Sequence, residues 1–221
     1  MIETIFQNRN FTFTDWATVL FIISFIIIVV NKNVFEARFS DFSRLAISDK
    51  YTKVYKDSSN MKSSFTISMF FVQLISFSFF VLLLLSQFNY YEKNNGLIYL
   101  RITTFLSVFI LSKYLIEKII ATIFKIEDFA EQFNLLKVSY RTYLGLLLLP
   151  VNIILFYNTV NSSLLYIAIT ILILLINAAI YFVTLKSYQN LIIRKIFYFI
   201  LYLCTLEIAP YYFIYYWVTK N

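Results

Sequence analysis

Glu207 is the only charged residue between Ile196 and Thr219 of a 221-residue chain. An ionisable group inside a continuous apolar run belongs to a binding or relay site by default, because a bilayer makes it costly to keep. Three residues on, Pro210 lacks an N–H, so the carbonyl of Leu206 loses its helical partner. The string Cys204-Thr205-Leu206-Glu207-Ile208-Ala209-Pro210 therefore sets a carboxylate beside a freed carbonyl. At 1.5 Å rise per residue, Glu207 lies about 18 Å above the inner end of its run. The same arithmetic puts Lys113, Asn152, Asn177 and Gln73 about 8 to 11 residues from the inner ends of theirs. Five apolar runs each contribute one polar group to one layer. An isolated buried charge costs far more than a hydrogen-bonded pair, so Lys113 is the expected partner of Glu207. Pro150 stands beside this layer and frees the carbonyl of Leu146. Pro150 and Pro210 are thus expected helix kinks. Two chemistries fit: an ion pair that fixes helix packing, which is preferred, and a proton- or substrate-binding centre.

Other chemistry is sparse. Lys113 and Glu117 stand at i, i+4 and can meet on one helix face. Glu127, Asp128 and Glu131 form the one acidic cluster, and its spacing without histidine reads as a solvated face. The chain has no histidine and one cysteine, Cys204. That removes the commonest general base and metal ligand and any intramolecular disulfide. No Gly-rich phosphate loop, nucleophile elbow or paired-histidine helix is legible. The expectation is no catalytic residue, no metal and no cofactor.

The elements that carry these residues follow from composition. Apolar residues make up 60% and charged residues 14%, and mean hydropathy is +0.74. A soluble domain carries about 25% charged residues, so the bilayer is the expected solvent. The expected class is all-α: one integral membrane domain over 1–221 with six transmembrane helices. The runs cover about 13–31, 65–88, 97–124, 141–160, 164–185 and 196–218, each near the roughly 20 residues that cross a membrane. Residues 1–15 lack the positive start and small-residue cleavage site of a signal peptide, so the first run reads as a retained span. Thirteen Lys and Arg fall in the connections 32–64, 125–141 and 186–195. Only Arg9, Lys93, Arg101 and Lys220 fall on the other side. The positive-inside rule then places those connections in the cytoplasm and both termini outside. The net charge of +7 reflects that topology and anionic lipid, and nucleic acid is not an expected partner. Within 32–64, Phe35, Phe39, Phe42 and Leu45 recur at helical spacing. They predict a short amphipathic helix on the inner leaflet. Its apolar face either packs on the bundle, the preferred reading, or docks a partner. Phe129, Phe133, Leu136 and Tyr140 form a similar stripe in the third connection, as a continuation of span three or a second surface helix.

The string Leu201-Tyr202-Leu203-Cys204-Thr205-Leu206-Glu207-Ile208-Ala209-Pro210 resembles the C-terminal signature of an uncharacterised family. Its members are small inner-membrane proteins of Bacteroidota, catalogued as a domain of unknown function. Tyr140-Arg141, Gly145 and Leu149-Pro150 are similar to that family's central segment. The resemblance covers most of the chain and rests on the Cys-x-x-Glu-x-x-Pro run. It brings no reaction and no ligand. It implies a bacterial inner membrane and, through lineage, the envelope machineries of that phylum for secretion or gliding.

Together these features point to a non-enzymatic subunit that scaffolds or assembles a larger inner-membrane complex, with other membrane proteins or a second copy as partner. The alternative is a small proton-coupled transporter or channel centred on Glu207 and Lys113. A third reading, a lipid- or isoprenoid-modifying enzyme using Glu117 or Glu127, has the least support, since a general acid or base needs a positioned substrate.

Overall fold

The computed structural model describes residues 14–45, 50–55, 60–61, 63–123, 127–158, 162–187 and 216. Among them every regular element is helical: α1 (Asp15–Val34), α2 (Glu36–Ser43), α3 (Lys50–Val54), α4 (Ser64–Gln87), α5 (Gly96–Ile123), α6 (Glu127–Tyr157) and α7 (Ser163–Ser187). Three of the helices are long and apolar enough to cross a membrane: Asp15–Val34, Ser64–Gln87 and Ala130–Tyr157. The sixth expected run, 196–218, lies outside the described residues apart from residue 216, and so do Glu207 and Pro210. In α7 the described apolar stretch is Ser163–Ala179. α5 is long, at 28 residues, and is made less apolar by Arg101, Lys113, Glu117 and Lys118.

Local chemistry accounts for the helix starts. Asp15 in the first turn and Lys32 in the last turn of α1 complement its dipole. Ser63 is extended and accepts the Thr66 N–H, capping α4. Asn95 accepts the N–H groups of Leu97 and Ile98 at 3.1 and 3.3 Å, capping α5. Asn89 turns the chain after α4 with φ 59°, a left-handed conformation that asparagine tolerates.

α4 is the central helix and touches α1, α5, α6 and α7. Of its apolar window 56% is buried, against 22% for α1. Val19, Ile22, Ile26, Val29 and Val30 of α1 face outward, as do Ile171, Leu172, Leu174 and Leu175 of α7. An apolar belt of this extent suits lipid rather than water.

Two apolar clusters lie inside. At one end Phe21, Phe79, Tyr99 and Phe156 pack with Trp16; Phe21 and Phe79 stack at 4.3 Å between centroids. At the other end Phe42, Leu45, Tyr51, Phe65 and Met69 form a second cluster.

The third connection differs from expectation. Instead of a surface helix, or a continuation of span three, ahead of a span beginning at 141, one helix of 31 residues runs unbroken from Glu127 to Tyr157. No glycine or proline interrupts 127–144, and Lys137, read as a loop cation, is taken up by a carboxylate on α5. α6 also runs on through Pro150, whose side chain is exposed.

Candidate functional site

Helices α4 and α6 approach each other closely at Gly145. A Cβ placed on Gly145 of α6 would lie 2.8 Å from the Cα of Gln73 on α4. Only glycine permits that approach. It allows short polar side chains to meet across the seam. Thr142 Oγ1 donates to Gln73 Oε1 at 2.8 Å. Asn152 Nδ2 donates to the Ser76 carbonyl at 2.7 Å and lies 3.2 Å from Ser76 Oγ. All four are buried. Asn152 Oδ1 has no hydrogen-bond partner, which leaves one unpaired acceptor beside Pro150. With no water to compete, each such bond specifies which helix faces meet.

Glu117 and Lys137 tie α5 to α6. Lys137 Nζ lies 3.1 Å from Glu117 Oε1, with side chains 10% and 5% exposed. The ammonium also stands 4.8 Å from the centre of the Phe133 ring. Lys113 sits one turn earlier on α5 and is half-buried.

The structure therefore brings Gln73 and Asn152 onto one seam, with Thr142 and Ser76 as their partners. Asn177 is placed differently: its amide donates to the Ile173 carbonyl of its own helix at 2.8 Å. The pairing of Lys113 with Glu207 lies outside the described residues.

The apolar face of α2 points inward. Phe42 and Leu45 are 1% and 3% exposed, and Phe35 and Phe39 are partly buried against the same cluster. The rings of Phe42 meet those of Tyr51, Phe65 and Tyr143 edge-on. Of the residues considered as a docking face, Phe42 and Leu45 are thus buried within this chain, while Phe35 and Phe39 are partly so.

Arg38, counted from sequence only among the cations of the 32–64 connection, is buried at this end, 8% exposed. Its Nη1 donates to Asn60 Oδ1 (3.2 Å) and Ser63 Oγ (2.8 Å). Nη2 donates to Thr66 Oγ1 (3.0 Å) and, at 3.4 Å, to Tyr51 OH and the Asn60 carbonyl. The rings of Phe65 and Tyr55 stand 4.8 and 4.9 Å from its Cζ. Among the described residues its partners are all neutral, and Nε has none. Arg38 thus pins α2 to the capped start of α4. The usable sequence signal was its place: one turn before Phe42, and therefore on the apolar side of the helix.

No group of three or more His, Cys, Asp or Glu able to hold a metal occurs among the described residues. Gln73, Asn152, Glu117 and Lys137 tie helices together. Among the described residues the molecule is all-α, with three helices long and apolar enough to cross a membrane. Within that class the chain belongs to the family described as a domain of unknown function (DUF4271), whose model matches residues 17–218. No curated protein matches the chain, and no solved structure matches it.

Proposed function

We propose that this protein is a non-enzymatic scaffold or assembly subunit of a larger complex in the bacterial inner membrane. The observation that carries the reading is how the buried polar groups are used. Gln73, Asn152, Glu117 and Lys137, the groups a transport path would line with water, bond to other helices of the bundle. Such bonds fix packing. In this reading six helices cross the membrane: α1, α4, α5, α6, α7 and the run 196–218. The segment 32–64 lies in the cytoplasm and both termini in the periplasm, following the distribution of Lys and Arg. The source is a member of the Bacteroidota, the partners are other inner-membrane proteins or a second copy, and the complex serves that phylum's secretion or gliding machinery. The motif around Glu207 supports that lineage. The lipid-facing surfaces of α1 and α7 are the places a membrane partner would pack.

The test is affinity purification of the tagged protein from native membranes after crosslinking, with reconstitution of the purified protein into proteoliposomes alongside. Recovery of a defined inner-membrane partner or a stable homo-oligomer, with Glu207→Gln leaving it intact, is expected. A lone monomer in cells, or proton flux in proteoliposomes that Glu207→Gln abolishes, overturns the scaffold reading in favour of transport.

A further inference from the structure

A small polar cavity stands apart from the seams that hold the bundle together. It lies where α4 and α6 end and α7 begins, beside the turn that joins α4 to α5. Its volume is ≈ 350 Å³, within the range of about 300–1,000 Å³ usual for small-molecule sites. Lys93, from the turn, lines it, but its ammonium is already committed. It donates to the Phe156 and Asn158 carbonyls at 2.9 and 3.4 Å, at the end of α6 where carbonyls lack helical partners. Glu92 also lines the cavity. The two formal charges cancel, so the cavity suits a neutral ligand.

The other polar groups are a mixture of donors and acceptors that the fold leaves open. Tyr166 of α7 is 4% exposed and lines the cavity. Its hydroxyl makes no hydrogen bond and, unlike the sealed hydroxyl of Tyr99, keeps accessible surface. Gln87 and Asn158 each donate an amide N–H, to Ser163 Oγ at 3.2 Å and to the Ile154 carbonyl at 2.8 Å. Each keeps a side-chain oxygen that can accept. The side-chain amides of Asn89 and Asn94, also in the lining, make no hydrogen bond among the described residues. A hydroxyl group both donates and accepts, so a polyhydroxylated ring matches such a set. An ion or a zwitterion would need charge concentrated at one or two points. The same turn carries Tyr90 and Tyr91, 70% and 49% exposed, between the lining residues Asn89 and Glu92. Flat amphipathic rings there suit the C–H face of a sugar.

We propose that this cavity binds the pyranose ring of a neutral sugar, free or as the headgroup of a glycolipid. The Tyr166 hydroxyl and the Asn89 amide hydrogen-bond two of its hydroxyls, and the Glu92 carboxylate accepts from a third. A ring of the Tyr90–Tyr91 pair covers its C–H face. In the topology set out above the cavity opens on the periplasmic side. The site is separate from the helix seams and independent of any scaffold role.

The experiment uses the purified full chain in lipid nanodiscs, which avoids detergents that carry a sugar headgroup. Saturation-transfer NMR is recorded with free glucose, with serine as a zwitterionic competitor. Native mass spectrometry counts glucosyl diacylglycerol retained from doped nanodiscs against plain diacylglycerol. Saturation transfer to glucose that serine does not displace supports the sugar itself as ligand. Preferential retention of glucosyl diacylglycerol without a glucose signal supports the glycolipid as its source. Tyr166→Phe removes only the hydroxyl and should weaken binding about fivefold, the scale of one hydrogen bond. Asn89→Gly keeps the left-handed backbone at φ 59° and should weaken it by a similar factor. Failure of the wild-type chain to bind either probe, displacement by serine, or binding unchanged in both variants would each overturn the proposal. The glucose, serine and glycolipid measurements use the wild-type chain, so they decide the matter even where a variant fails to fold.

Discussion

Replacing Gly145 by alanine tests the central seam, because two effects of opposite sign compete there. In an exposed helix, Gly→Ala gains about 1 kcal/mol through propensity. Here the new Cβ would meet Gln73 Cα at 2.8 Å and Gln73 Cβ and Cγ at 3.2 Å. Carbon atoms rest at about 3.5–4.0 Å, so α4 and α6 must part by roughly 1 Å. Two of the obstacles are backbone or directly attached to it, and no rotamer change relieves them. Overpacking of this kind costs about 1–3 kcal/mol. Parting the helices also stretches the Thr142–Gln73 bond from 2.8 Å past useful length, at about 0.6 kcal/mol for a bond in a membrane protein. Less the propensity gain, the net loss is about 0.6–2.6 kcal/mol. Reversible unfolding in mixed micelles of mild and denaturing detergent, followed by circular dichroism, measures it. Gly96→Ala serves as the control: its Cβ would lie 3.4 Å from Trp16 ring atoms, and the change should be under about 1 kcal/mol. A Gly145→Ala protein that is as stable as the parent, or more so, refutes the close approach of α4 and α6.

Four further expectations follow from individual contacts. Glu117→Leu and Lys137→Leu should each cost about 3 kcal/mol by stranding a buried charge, while the double variant costs less than either; strict additivity in the same unfolding assay would show the pair is not coupled. Phe42→Ala should lose about 3–5 kcal/mol of local packing and speed tryptic cleavage at Arg44 and Lys50, and an unchanged cleavage rate would remove α2 from the bundle. Arg38→Lys should lower the melting temperature nearly as far as Arg38→Met, since an ammonium cannot fill a two-sided guanidinium site. By contrast, Asp41→Asn, which breaks a pair with a largely exposed Lys50, should cost under about 1 kcal/mol, and a larger loss there than at Arg38 would reverse this ranking.

Four of the five helices longer than eight residues were legible from end to end because their outward and buried faces are both largely apolar, so each appears as a continuous run. The runs at 13–31, 65–88, 97–124 and 164–185 correspond to α1, α4, α5 and α7 within a few residues. The start of α6 was not legible. Lys137 and Arg141 look like the edge of a loop until Glu117, twenty residues back in sequence, is seen beside Lys137. Of the polar layer, Gln73 and Asn152 were recognisable because an amide stands out in an apolar run. Their partners Thr142 and Ser76 were not, since a hydroxyl on a helix usually bonds its own backbone, as Ser78, Ser139 and Thr170 do here. The same applies to Asn31 and Ser68, which join α1 to α4 at 2.8 Å. Arg38 was hidden by its own charge, which reads as solvated wherever no carboxylate is near.

Composition alone determined that this chain builds apolar helices suited to lipid. With 14% charged residues it cannot clothe a water-facing surface, and in a bilayer a backbone that lacks water must satisfy itself within each helix. Periodicity also determined that residues 35–45 present one apolar face. Which surface that face meets, which helices touch at Gly145, and which of the scattered polar groups become partners were decided only by tertiary structure. Those outcomes depend on distances across helices, and a residue's type carries no record of the neighbour that will stand opposite it.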